Sequence, residues 1–118
     1  MFTQKAREIL FKLLAAGAVC AAIYHAIGLF YPINEAPVWR HALFAVINVV
    51  AAVCFIKRPA CFLPVFALLT VQQFYSHGTF LIYTWQQKQT IDWPSVLVLV
   101  FMPIALYALW EDYQAKKV

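Results

Sequence analysis

Apolar and polar positions alternate along the chain on the scale of whole helices. Four mostly apolar runs, approximately residues 10–31, 37–57, 62–84 and 92–112, are separated by short polar breaks. Each run can cross a bilayer as a helix, which takes about 20 mostly apolar residues. The breaks carry helix-ending chemistry. Pro32 and Pro37 bracket the first, Lys57-Arg58-Pro59 makes the second, and Gln86 to Thr90 makes the third. Asn34 is placed to cap the second helix, and Asp92 to cap the fourth, with Pro94 in its first turn. Pro103 falls in the middle of the fourth run, where it removes a backbone donor and favours a kink. The pattern predicts an all-α integral membrane protein, a four-helix bundle of four transmembrane spans forming a single domain over residues 1–118.

The third run departs from the others. Thr70, Gln72, Gln73, Ser76, His77 and Thr79 interrupt it. At about 100° per residue, Thr70, Gln73, His77 and Thr84 form one stripe, and Gln72, Ser76, Thr79 and Tyr83 the adjacent one. Val71, Phe74, Gly78, Leu81 and Ile82 fill the opposite arc. In a bilayer such a helix turns its polar half towards other helices, because amides and imidazoles facing hydrocarbon are costly. The first run has a different character. Gly17, Ala18, Ala21, Ala22 and Gly28 recur at helical spacing, and small residues let membrane helices approach closely. The fourth run, with few polar side chains, is expected to serve as a wall apart from any site.

Composition supports the membrane reading. Of 118 residues, 64% are hydrophobic and 12% charged, whereas soluble domains sit near half apolar and a quarter charged. The net charge of +4 does not make a nucleic-acid surface, because the basic residues gather at segment ends rather than in a patch with stacking aromatics. Their distribution gives an orientation. Lys5, Arg7, Lys12, Lys57, Arg58, Lys116 and Lys117 fall on one side of a four-span topology, and only Arg40 and Lys88 on the other. The excess of Lys and Arg on cytoplasmic segments then places both termini in the cytoplasm. The expected location is a cell membrane, multi-pass, of the bacterial inner (plasma) membrane type. Cys20, Cys54 and Cys61 show neither metal nor redox spacing.

The candidate chemistry lies in the three histidines. At a rise of about 1.5 Å per residue, His25, His41 and His77 lie roughly 9, 6 and 10 Å below the outer ends of their runs. All three sit on faces expected to point inward. Glu35 and Arg40 lie above them, Gln73 a turn below His77, and Asn48 two turns below His41. Intramembrane ionisable groups mark functional sites by default. The sequence therefore predicts one polar pocket near the outer face, lined by His25, Glu35, Arg40, His41, Asn48, Gln72, Gln73, Ser76 and His77, which binds a small-molecule or lipid-like ligand. Two alternatives stand beside it. Imidazoles from separate helices suit zinc, copper or haem iron, with His25, His41 and His77 as ligands. A histidine set can also serve a small oligomeric transporter or proton relay, although no carboxylate is deeply placed. Catalysis has the least support, since no serine or cysteine stands in a nucleophile arrangement. No motif names a cofactor. The partners expected are the lipid bilayer, a small-molecule or lipid ligand and a second copy of the chain, with no nucleic acid.

Overall fold

The computed structural model describes residues 1–34 and 36–117. Four helices account for nearly all of them: α1 (Gln4–Gly28), α2 (Val38–Lys57), α3 (Phe62–Lys88) and α4 (Trp93–Lys116). No strand occurs among the described residues. The helices α1, α2 and α4 are each long and apolar enough to cross a membrane. The longest, α3, has 27 residues and reaches about 40 Å, but its polar stripes keep it below that level of apolarity.

The ends of the helices follow local chemistry. Thr3 caps α1, its hydroxyl accepting from the Ala6 N–H at 3.1 Å. The basic lead-in is thus continuous with the first apolar run. The predicted cap at Asn34 is not formed. The residue before α2 is Pro37, which makes no side-chain cap bond, and Asn34 is engaged elsewhere. Arg58 ends α2 in the left-handed region (φ 48°, ψ 58°), with its N–H donating to the Cys54 carbonyl at 2.7 Å. Helix α3 runs on through Gln86, Gln87 and Lys88, which were expected to be loop, and stops at Gln89, also left-handed (φ 53°). Asp92 caps α4 as predicted, with Pro94 in its first turn. That helix continues unbroken past Pro103 as far as Lys116, with Glu111 buried within it.

The chain divides into two compact units, Phe2–Arg58 and Pro59–Val118, the second grouped with Met1. In the first, α1 folds back on α2. Phe11, Ala15, Ala18, Ala22 and Gly28 bury one edge of α1 against a stripe of α2 containing His41, Phe44, Ala51, Ala52 and Phe55. Steps of three and four residues recur on both partners, as from Phe11 to Ala15 to Ala18 to Ala22 and from His41 to Phe44 or Ala52 to Phe55, and set one seam against another. Small side chains on α1 meet larger ones on α2, which brings the backbones together where His41 sits. Gly17 belongs to the exposed side, with open space around the position of a Cβ, so it takes no part in the small-residue face predicted for it. The far end of this hairpin is closed by aromatics. Phe11 stacks on Phe55 with ring centroids 6.5 Å apart, and the Arg58 guanidinium lies 4.7 Å over the Phe11 ring.

In the second unit, α3 packs on α4. The buried face of α3 is Phe62, Phe66, Thr70, Gln73 and Thr84, and that of α4 is Ser95, Ala105, Ala108, Leu109 and Glu111. The predicted stripe of Thr70, Gln73 and Thr84 is therefore the inward one. The adjacent stripe of Gln72, Thr79 and Tyr83 is exposed, and Ser76 half-buried.

Candidate functional site

Each hairpin carries a histidine network near its own loop. In the first, Gly28 makes the seat. A Cβ added there would lie 2.6–2.7 Å from three atoms of the His41 ring. Only a residue without a side chain lets α1 approach this closely, and His41 is 2% exposed as a result. The buried ring then finds partners at both nitrogens. Its Nδ1 lies 3.0 Å from Nδ1 of His25, and its Nε2 lies 3.1 Å from Oδ1 of Asn34.

The direction of these bonds follows from their partners. The Ala36 N–H donates to Oδ1 of Asn34 at 2.9 Å, which fixes that atom as the carbonyl oxygen. Nδ2 of the same amide donates to the Tyr24 hydroxyl at 3.0 Å. An amide oxygen only accepts, so His41 donates from Nε2. In neutral His41 the other nitrogen, Nδ1, must then accept, and the donor is Nδ1–H of His25. The chain of bonds thus runs from His25 to His41 to Asn34 to Tyr24.

Aromatic rings enclose the pair. Tyr24 stands edge-on to His25 at 5.3 Å, and Phe44 lies 5.7 Å from the same imidazole. The Arg40 guanidinium stacks over Phe44 at 4.9 Å, placing a permanent cation one ring away from His25. Asn48, expected on the same face, is half-buried, and its amide donates to the Phe44 carbonyl at 2.8 Å. Glu35 lies outside the described residues.

The second network joins α3 to the helix expected to be a bare wall. Nδ1 of His77 lies 2.9 Å from the Ser95 hydroxyl oxygen, and Ser95 is fully buried. The Ser95 hydroxyl donates to Oδ2 of Asp92, and the Ser95 backbone N–H donates to the same oxygen at 3.2 Å. The carboxylate accepts only, so Ser95 gives its proton to Asp92 and receives one from Nδ1–H of His77. Sequence reasoning found Asp92 as a cap and His77 as a site residue, but did not connect them through Ser95. The signal was present in the spacing Asp92-x-x-Ser95, which points a hydroxyl back at the capping carboxylate.

The remaining polar groups of α3 are largely satisfied within the helix. Thr70 donates to the Phe66 carbonyl at 2.8 Å, Thr79 to that of Tyr75 at 2.7 Å, and Thr84 to that of Leu81 at 3.0 Å. Gln73 donates to Oε1 of its neighbour Gln72 at 2.6 Å. These bonds let hydroxyls and amides enter an apolar setting without leaving donors unpaired.

Among the described residues, no three His, Cys, Asp or Glu side chains gather in an arrangement that could hold a metal ion. Set against protein-family models, curated proteins and solved structures, the chain matches none of them.

Proposed function

We propose that this chain is a multi-pass membrane protein of the bacterial inner (plasma) membrane type. It crosses the bilayer four times, keeps both termini in the cytoplasm and binds a small-molecule or lipid-like ligand at the loop end of its first hairpin. Three of the four helices are long and apolar enough to cross. The fourth, α3, has the length, and internal hydrogen bonds lower the cost of its polar face. The skew of basic residues, seven against two, supports the orientation.

The observation that carries the ligand reading is the ordered pair of imidazoles. A buried His41, seated on Gly28 and held at both nitrogens, fixes the orientation of a half-buried His25. The arrangement resembles a binding subsite: few polar groups, rigidly aimed, among aromatic rings. The ligand it suits is small, with a polar group towards the imidazole pair and an apolar or aromatic body against Tyr24 and Phe44. Arg40 is suited to an anionic substituent. The polar face of α3, with Gln72, Gln73, Ser76 and His77, offers a further ligand-contacting surface in the second hairpin.

Native mass spectrometry of the chain extracted from its membrane in mild detergent tests this reading. A discrete molecule retained by the wild type and lost in His25→Gln and His41→Gln supports it. Wild-type protein carrying only detergent and bulk phospholipid, or the same adduct on all three proteins, would overturn it.

A relay is the second reading, and the bridge from His77 through Ser95 to Asp92 favours it. A hydroxyl that receives on its oxygen while giving its own hydrogen can pass a proton from an imidazole to a carboxylate.

A further inference from the structure

We propose that two copies of this chain pair in the membrane through the polar stripe of α3, with Gln72 at the centre of the contact. Resting on the four-span reading, and independent of any ligand at the first hairpin, this pairing puts a second copy where Gln72 and Ser76 would otherwise meet a small molecule.

Helix α3 turns Phe62, Phe66, Thr70, Gln73 and Thr84 inward. The stripe about 100° further round the axis is left over: Gln72, Thr79 and Tyr83 are exposed, and Ser76 is half-buried. Gln72 lies ten residues past Phe62, the start of α3, or about 15 Å along the axis. A hydrocarbon core is about 30 Å thick, so this amide sits near its middle, where water is scarcest. Its hydrogen-bonding groups then need partners from protein. Oε1 of Gln72 accepts from Nε2 of Gln73 at 2.6 Å. The two hydrogens on Nε2 of Gln72 itself find no acceptor among the described residues.

That unmet half decides the partner. An amide holds donor and acceptor in one group, and its oxygen has two lone pairs. Two Gln72 side chains that face each other can each donate from Nε2 and accept at Oε1, closing two hydrogen bonds with no third molecule. Copies inserted in the same orientation are related by a two-fold axis along the membrane normal, and residues near that axis meet their own counterparts. The stripe fits this symmetry. From Gln72 to Ser76, Thr79 and Tyr83 the steps are four, three and four residues, the repeat that stays on the seam of a left-handed helix pair. Ser76 and Thr79 are short enough for close approach. The Thr79 hydroxyl already donates to the Tyr75 carbonyl, so it enters the contact without a stranded hydrogen. No like charges oppose it: the one Lys, Arg, Asp or Glu of α3 is Lys88 in the last turn, about 160° round the axis from Gln72. Pairing also takes from lipid the face that holds α3 below the apolarity of α1, α2 and α4.

Cross-linking of the full-length chain in phospholipid vesicles tests the pairing. Cys20, Cys54 and Cys61 are replaced by Ala, and one cysteine is introduced at a time. Under mild oxidation, Ser76→Cys and Thr79→Cys should give disulfide dimers, whereas Phe74→Cys and Trp85→Cys, on the far side of α3, should not. Equal yields at all four positions, or none at Ser76 and Thr79, would overturn the proposal. Energy transfer between fluorescent copies, diluted progressively in lipid, then reads the affinity. Gln72→Leu should weaken pairing about tenfold, and Gln72→Asn, which keeps an amide, should restore part of the loss. A wild type that is monomeric at every dilution, or a Gln72→Leu chain that pairs as tightly as wild type, counts against the interface. So does a monomer whose small-molecule adduct in native mass spectrometry is lost in Gln72→Leu. An alkaline carbonate wash separates the two failures: a chain released from the membrane removes the four-span reading with the interface, and a retained monomer removes the interface alone.

Discussion

The two hairpins handle a buried histidine in opposite ways. In the first, the hydrogen-bond chain from His25 through His41 ends in the amide of Asn34, whose geometry is pinned by Ala36 and Tyr24. In the second, the chain from His77 passes through the Ser95 hydroxyl to the Asp92 carboxylate. The first chain therefore ends on a neutral amide, and the second on a carboxylate. The packing beneath them differs too. His41 depends on the absence of a side chain at Gly28, a steric condition. His77 depends on the cap of α4, a condition of backbone polarity. Similar residues thus acquire different surroundings from the group at the end of the chain.

That contrast can be broken most sharply at Gly28. Replacing it with Ala places a methyl 2.6–2.7 Å from three atoms of the His41 ring. Overpacking of this kind typically costs about 1–3 kcal/mol, and Gly28→Leu should cost more. Both should lower the thermal midpoint in detergent. A Gly28→Ala protein as stable as wild type would mean that the close approach is not what holds His41.

Ser95→Ala is the counterpart in the second hairpin. It removes the bridge and leaves the His77 donor without its Ser95 partner. Losses of about 1–3 kcal/mol accompany a buried polar group deprived of its partner. Unfolding should shift by that amount. A Ser95→Ala protein as stable as wild type would contradict the assignment of Ser95 as the partner of His77.

A gentler change is Asp92→Asn. Asparagine caps helices about as well as aspartate, so stability should fall by less than about 1 kcal/mol. The carboxylate terminus, however, becomes an amide like that of the first hairpin. Exchange of the His77 ring hydrogen with deuterated water should slow, while Ser95→Thr, which keeps a hydroxyl, should retain the wild-type rate. Equal exchange in Asp92→Asn and wild type would remove the relay reading.

Gly17 and Gly78 should be the least sensitive positions. Both have open space where a Cβ would go, and a glycine inside a helix is weaker than alanine by roughly 0.5–1 kcal/mol. Gly17→Ala and Gly78→Ala are therefore expected to leave stability unchanged or slightly raised, as read from the same thermal midpoints.

Much of this organisation was legible in the sequence because it follows from periodicity and length. Four helices, their approximate limits and the inward stripe of Thr70, Gln73 and Thr84 all come from spacing. So does the meeting of His25 with His41, since two residues at matching depth on either side of a short loop become neighbours once the hairpin closes. The missed features depend on rotation about a helix axis or on competition for a single side chain. Gly17 lies only one residue from the buried Ala18, about 100° around the helix, and that turn carries it to the exposed side. Asn34 had the right type to cap α2, but a buried imidazole and a tyrosine hydroxyl claimed its amide instead. Ser95 looked incidental in a run of valines and leucines. Its role depends on a partner 18 residues away, a relation that local pattern does not encode.

Arg58 has a consequence for the order in which the protein is made. Its left-handed backbone ends α2, and its guanidinium covers Phe11, near the start of α1. Every contact described for the first hairpin, from Phe11 on Phe55 to His25 on His41, is therefore complete within residues 2–58. A nascent chain needs nothing beyond Arg58 to close that hairpin, and units completed early in synthesis fold first. On the four-span topology proposed above, the first pair of helices can leave the translocation machinery already fastened, its imidazole pair sheltered, while the ribosome is still translating α3.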